Sequence, residues 1–137
     1  MSPYYCPPSL RVLWVDDQPE NNQAFAADIE RRGVHVSYAL STSLALTLLK
    51  KNKYLAVISD VGRREGPREG FHLLDSMRSH GDQTPFCFFA SLNAQALREE
   101  ALLHDAQEST NSYVALLAFI DSVVAEHVAG SASSSTA

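Results

Sequence analysis

Three aspartates are the side chains of this sequence best placed to do chemistry. Asp16 and Asp17 follow the apolar run "LRVLWV" (10 to 15), and Asp60 follows "YLAVIS" (54 to 59). A carboxylate serves as nucleophile, general base or oxygen ligand to a hard cation, according to its surroundings. A single aspartate after a strand is commonly a turn former or helix cap. Asp17 is a candidate for that role in the helix beginning at Pro19, since proline suits a first turn. Two acids behind one apolar run and a third behind another form a rarer joint pattern, and it points to a pocket. Brought together, three carboxylates repel one another and call for a cation. An all-oxygen ligand set at a shallow, solvated cleft suits Mg²⁺, which keeps several waters and accepts one or two carboxylates.

Positioning these acids requires strands that end side by side. From residue 10 onward, short apolar runs alternate with segments of helical period, the mark of βα units and a parallel sheet. "RVLWV" (11 to 15), "VHVSYAL" (34 to 40), "YLAVIS" (54 to 59) and "PFCFFA" (85 to 90) read as strands. The third and fourth are apolar almost throughout, as for strands covered on both faces, whereas the second alternates and reads as an edge.

Helices are predicted over Glu20 to Arg32, stopped by Gly33, and over "STSLALTLLKKN" capped by Ser41, with Leu44, Leu48 and Leu49 as its apolar face. Three more are predicted over Gly70 to His80, Asn93 to His104 and Tyr113 to Val128. A short fifth strand belongs near Ala106 to Thr110 on topology, since "DAQEST" is too polar for propensity to reveal it. The expected fold is α/β, a single doubly wound five-stranded parallel sheet in the order 2-1-3-4-5. Ligands of such sheets sit beyond the carboxyl ends of the strands where the order reverses, which is where Asp16, Asp17 and Asp60 fall. Residues 1 to 9 read as a flexible arm, 10 to 128 as the domain, and the "AGSASSSTA" tail (129 to 137) as disordered, because it has nothing to bury.

Taken together, "RVLWVDDQPENN" and "AVISDV" resemble the receiver domain of two-component response regulators, a flavodoxin-like fold, over about Arg11 to Val124. The resemblance implies that Asp16 and Asp17 bind Mg²⁺ and that Asp60 accepts a phosphoryl group and joins the metal site. It adds the backbone carbonyl of Gly62 as a further metal ligand. The implied partners are a histidine kinase or phosphotransfer protein and an output protein, with the chain acting as a monomer or weak homodimer in the cytoplasm rather than as an enzyme.

The sequence departs from the family pattern at three places. Where the family has a hydroxyl residue at the end of strand four, alignment on "TPFCFFAS" puts Ala90, with Ser91 one residue later and facing the opposite way along a strand. The lysine after strand five is missing, and Ser112-Tyr113 or Thr110 and Asn111 occupy its region; Ser109 stands near the place of the strand-five aromatic. In addition, the loop "VGRREGPREGF" carries Arg63, Arg64 and Arg68. An arginine folded over the acids would supply the missing cation and could fill the pocket without phosphate; solvated charge on a glycine-rich turn is the plainer reading. A degenerate receiver, which binds a partner without phosphorylation, is therefore the alternative to a Mg²⁺-dependent phosphoacceptor. A Mg²⁺-dependent phosphohydrolase with Asp16 as nucleophile is more remote, because position 18, where such enzymes place an acid, is Gln.

Composition bounds the rest. The 137 residues carry a formal net charge of -5 and include no dominant basic patch, which argues against nucleic acid and anionic lipid as partners. No apolar stretch approaches the roughly 20 residues of a membrane span. The five histidines are scattered without ligand spacing, and Cys6 and Cys87 read as two free thiols.

Overall fold

A computed structural model describes residues 10–62, 66–89 and 94–135. Five strands, β1 (Arg11–Val15), β2 (His35–Ala39), β3 (Ala56–Ser59), β4 (Phe86–Phe89) and β5 (Glu108–Thr110), form one parallel sheet in the order β2-β1-β3-β4-β5. Both the sheet order and the edge position of β2 are as the sequence predicts. The helices are α1 (Gln23–Arg31), α2 (Thr42–Lys51), α3 (Glu69–Ser79), α4 (Ala94–Leu103) and α5 (Tyr113–Ser135).

Side chains alternate across each strand, so the sheet buries apolar residues on both faces. Val12, Trp14, Ile58 and Cys87 pack against Ala26 and Ile29 of α1 and Leu116 and Ile120 of α5. Leu13, Val15, Val57, Phe86 and Phe88 pack against Ala45 of α2, Phe71, Leu74 and Met77 of α3, and Ala101 of α4. Burial pushes the Cys87 thiol up to about 12, with the charge of Glu108 adding to the effect.

Helix ends follow the local signals. Gly33 and Gly81 adopt φ of 82° and 80°, the left-handed conformation that ends α1 and α3. Ser41 caps α2 by accepting a hydrogen bond from the Leu44 amide at 3.1 Å.

In the helices, details differ from the sequence reading. The first helix opens as a 3-10 turn over Pro19–Asn22 before α1 begins. In α2 the innermost residue is Ala45, with Leu48 and Leu49 following at i+3 and i+4 and only partly buried, while Leu44, a step of about 100° around the helix, is 42% exposed. Finally, α5 runs to Ser135, beyond the predicted end at Val128. Residues 129 to 135 include Gly130 and four serines, residues of weaker helix propensity than alanine, so nothing local in the sequence marks this extension. Among the described residues no helix is long and apolar enough to cross a membrane.

Candidate functional site at the carboxyl ends of the strands

Register brings the acids together. Ala39, Val15, Ser59, Phe88 and Ser109 are paired in one row across all five strands. Asp16 and Asp60 are therefore next on adjacent central strands. Their backbones continue the ladder: the Asp16 amide donates to the Ala39 carbonyl at 3.0 Å and the Asp60 amide to that of Val15 at 3.3 Å. Carboxylate oxygens of Asp16, Asp17 and Asp60 lie within 4.8 Å of one another, and all three residues are half-buried. An all-carboxylate set this close, open to solvent on one side, fits a hard, partly hydrated cation such as Mg²⁺.

The Asp16 carboxylate is oriented from two sides. Its Oδ1 accepts from the Gln18 amide at 2.8 Å, closing an Asx turn, and its Oδ2 accepts from Asn22 Nδ2 at 2.6 Å. Asp16, rather than Asp17, thus makes the turn before Pro19, and the residue preceding the 3-10 turn is Gln18, which gives no side-chain cap. Asn22 carries no sequence signal of this role, since nothing local shows that the 3-10 turn folds it back onto Asp16.

The Asp60 side of the site depends on α3. The Gly70 amide donates to the Val61 carbonyl at 2.8 Å, and a Cβ on Gly70 would stand 2.2 Å from the Asp60 carbonyl oxygen and 2.7 Å from the Phe88 ring. Only glycine lets the first turn of α3 approach the end of β3 this closely. Ser59 Oγ donates to the same Asp60 carbonyl at 2.7 Å. Gly62 lies exposed two residues past Asp60. Thr42, at the start of α2, donates to Glu69 Oε1 at 3.1 Å and so ties α2 to α3 beside the site.

The other candidates scatter. Arg63, Arg64, Ala90 and Ser91 lie outside the described residues, as does the arm 1–9 with Cys6. Arg68 is ion-paired with Glu100 of α4, and its guanidinium carbon lies 4.5 Å over the Phe71 ring. This mutual hydrogen bonding holds the Arg68 guanidinium above its ordinary pKa and the Glu100 carboxyl below its own. Past β5, Ser112 caps α5, accepting from the Ala115 amide at 3.3 Å, while its own amide donates to Thr110 Oγ1 at 2.9 Å. Tyr113 stacks on Phe25 with ring centroids 4.2 Å apart and donates its hydroxyl to Asp28. Ser109 is 3% exposed, and its hydroxyl has no hydrogen-bond partner among the described residues.

This arrangement of sheet, helices and acidic mouth is the fold of response-regulator receiver domains. The chain superposes on the Francisella response regulator 1452 receiver domain with a TM-score of 0.76 at 20% identity, covering 87% of this chain and 99% of that one. For the chemotaxis response regulator CheY4 of Vibrio cholerae the TM-score is 0.70 at 22% identity, covering 84% and 98%. For the beryllofluoride-activated NtrC4 receiver domain dimer it is 0.72 at 20% identity, covering 85% and 97%. No protein-family model matches the sequence, nor does any curated protein sequence.

Proposed function

We propose that this protein is a receiver module of phosphorelay signalling, with Asp60 as its phosphoacceptor. The observation that carries the reading is the convergence of Asp16, Asp17 and Asp60 within 4.8 Å at the mouth of a receiver fold. A carboxylate oxygen of Asp60 attacks the phosphorus of a phosphohistidine on a histidine kinase or phosphotransfer protein. An O–P bond forms as the P–N bond breaks, and the imidazole leaves with the electron pair. Asp16, Asp17 and Asp60, with the Gly62 carbonyl, are the residues that would hold Mg²⁺, which when bound offsets the charge of the transferring group. Gln18 and Asn22 hold the Asp16 carboxylate in one orientation, and Gly70 sets the position of the Asp60 backbone. Output passes by protein contacts in the cytoplasm, from a monomer or weak homodimer, as the added charge alters the surface around the site.

A degenerate receiver is the second reading. It is favoured by the capping and packing duties of Ser112 and Tyr113, which leave no lysine in the place where the family keeps one.

The test is incubation with Mg²⁺ and acetyl phosphate, followed by intact-mass measurement. The phosphoacceptor reading expects a gain of one phosphoryl group, abolished by Asp60→Asn. No adduct, together with no Mg²⁺ binding, overturns the phosphoacceptor reading.

A further inference from the structure

Arg68 links the phosphoacceptor loop to α4. It precedes α3, two residues from the Gly70 that rests on the Asp60 carbonyl, so the chain keeps its Cα within about 7 Å of that of Gly70. Its Nη1 donates to Glu100 Oε1 at 3.5 Å and its Nη2 to Glu100 Oε2, across 32 residues of sequence. A second link runs parallel to it, where Nδ1 of His104, the residue after α4, meets Asp75 Oδ1 of α3 at 2.7 Å. Between them lies Phe71, with Arg68 over its ring, the His104 ring 4.9 Å away and the Phe88 ring 4.6 Å away.

Two properties make the first link exchangeable. Both of its side chains are well exposed, Arg68 at 49% and Glu100 at 39%, and ion pairs in that setting are held weakly against water. A phosphoryl group on Asp60 carries more charge than one carboxylate, about −1.5 to −2, and accepts the same forked pair of N–H bonds from a guanidinium. The segment after β5 has no lysine to compete with Arg68.

Resting on the phosphoacceptor reading, we propose that Arg68 is an exchangeable cation that pairs with Glu100 in the unphosphorylated protein and passes to the phosphoryl group on Asp60. Its transfer releases α4 from the phosphoacceptor loop. Arg68 is then the positioning residue through which the state of Asp60 reaches α4.

Hydrogen exchange of the α4 amides (Ala94–Leu103), measured by mass spectrometry with and without Mg²⁺ and acetyl phosphate, tests the transfer alongside the adduct yield. In the wild type, exchange in α4 rises several-fold when the adduct forms. In Glu100→Gln it is raised already without the adduct, changes little on phosphorylation, and the adduct forms several-fold faster because Arg68 is no longer held. In Arg68→Ala exchange is likewise raised from the outset, and the adduct is shorter-lived. An adduct that leaves α4 exchange unmoved in the wild type, or a Glu100→Gln variant matching the wild type in both measurements, overturns the transfer alone. No adduct in the wild type removes the phosphoacceptor reading, and the transfer with it.

Discussion

Gly70 and Asp60 meet backbone to backbone, so closely that a methyl group on Gly70 would stand 2.2 Å from the Asp60 carbonyl oxygen. The obstruction is main chain, with the buried Phe88 ring and the Val61 Cα closing the other sides at 2.7 and 3.1 Å. Gly70→Ala must therefore move α3 or the end of β3. Overpacking of this kind costs about 1–3 kcal/mol, against which alanine regains about 1 kcal/mol of helix propensity. Urea unfolding should show net destabilisation, and the yield of phosphoryl adduct should fall with it. A variant as stable as the wild type would show that α3 moves away from the end of β3 at no cost.

Asn22→Ala removes one of the donors that orient the Asp16 carboxylate while leaving all three acids in place. Losing a partner that orients a metal ligand weakens metal binding by about 10–100-fold. Calorimetric titration with Mg²⁺ should show that loss, with the melting temperature little changed because Asn22 buries no core. Unaltered Mg²⁺ affinity would show that Asp16 keeps its orientation without Asn22.

The Glu100 carboxyl is held below its ordinary value of 4.5, first by the hydrogen bond from Arg68 and then by the charges of Arg68 and His104. A carboxyl with a depressed folded-state pKa adds stability that is present above 4.5 and lost as pH falls through the folded value. Asp75 and His104 also face the pair, so the comparison must isolate Glu100 itself. The stability difference between wild type and Glu100→Gln should be present above that ordinary value and vanish in acid. A difference that persists in acid would assign it to something other than this ion pair.

The Cys87 thiol is fully buried, with its pKa pushed up to about 12. The thiolate is the reactive form, so in a Cys6→Ser background the folded protein should resist iodoacetamide at mildly alkaline pH and react once denatured. Labelling of the native protein would report opening of β4.

Much of the fold is legible in the residues. The apolar runs at 11 to 15 and 54 to 59 hold the strands β1 and β3, and Gly33, Ser41 and Gly81 end or begin helices as their types require. Each of these signals is local, acting within a turn or along a strand. The third-strand boundary differs by two residues because Tyr54 and Leu55 are buried without belonging to the strand, and burial is what an apolar run reports. β5 offered no local signal, since Glu108–Thr110 is polar and is a strand because β4 presents it with an edge to pair.

By itself the sequence determined that acids stand at the ends of two strands in an alternating α/β chain; the tertiary structure decided that those strands are neighbours and that their acids meet within 4.8 Å. It also decided that Asn22 turns back on Asp16, that Gly70 lies against Asp60 and that Arg68 is held by Glu100. Periodicity and caps depend on side chains a few residues apart and can be read along the chain. Convergence depends on strand order, register and the packing of helices onto the sheet, which arise only when distant segments bury their apolar faces together.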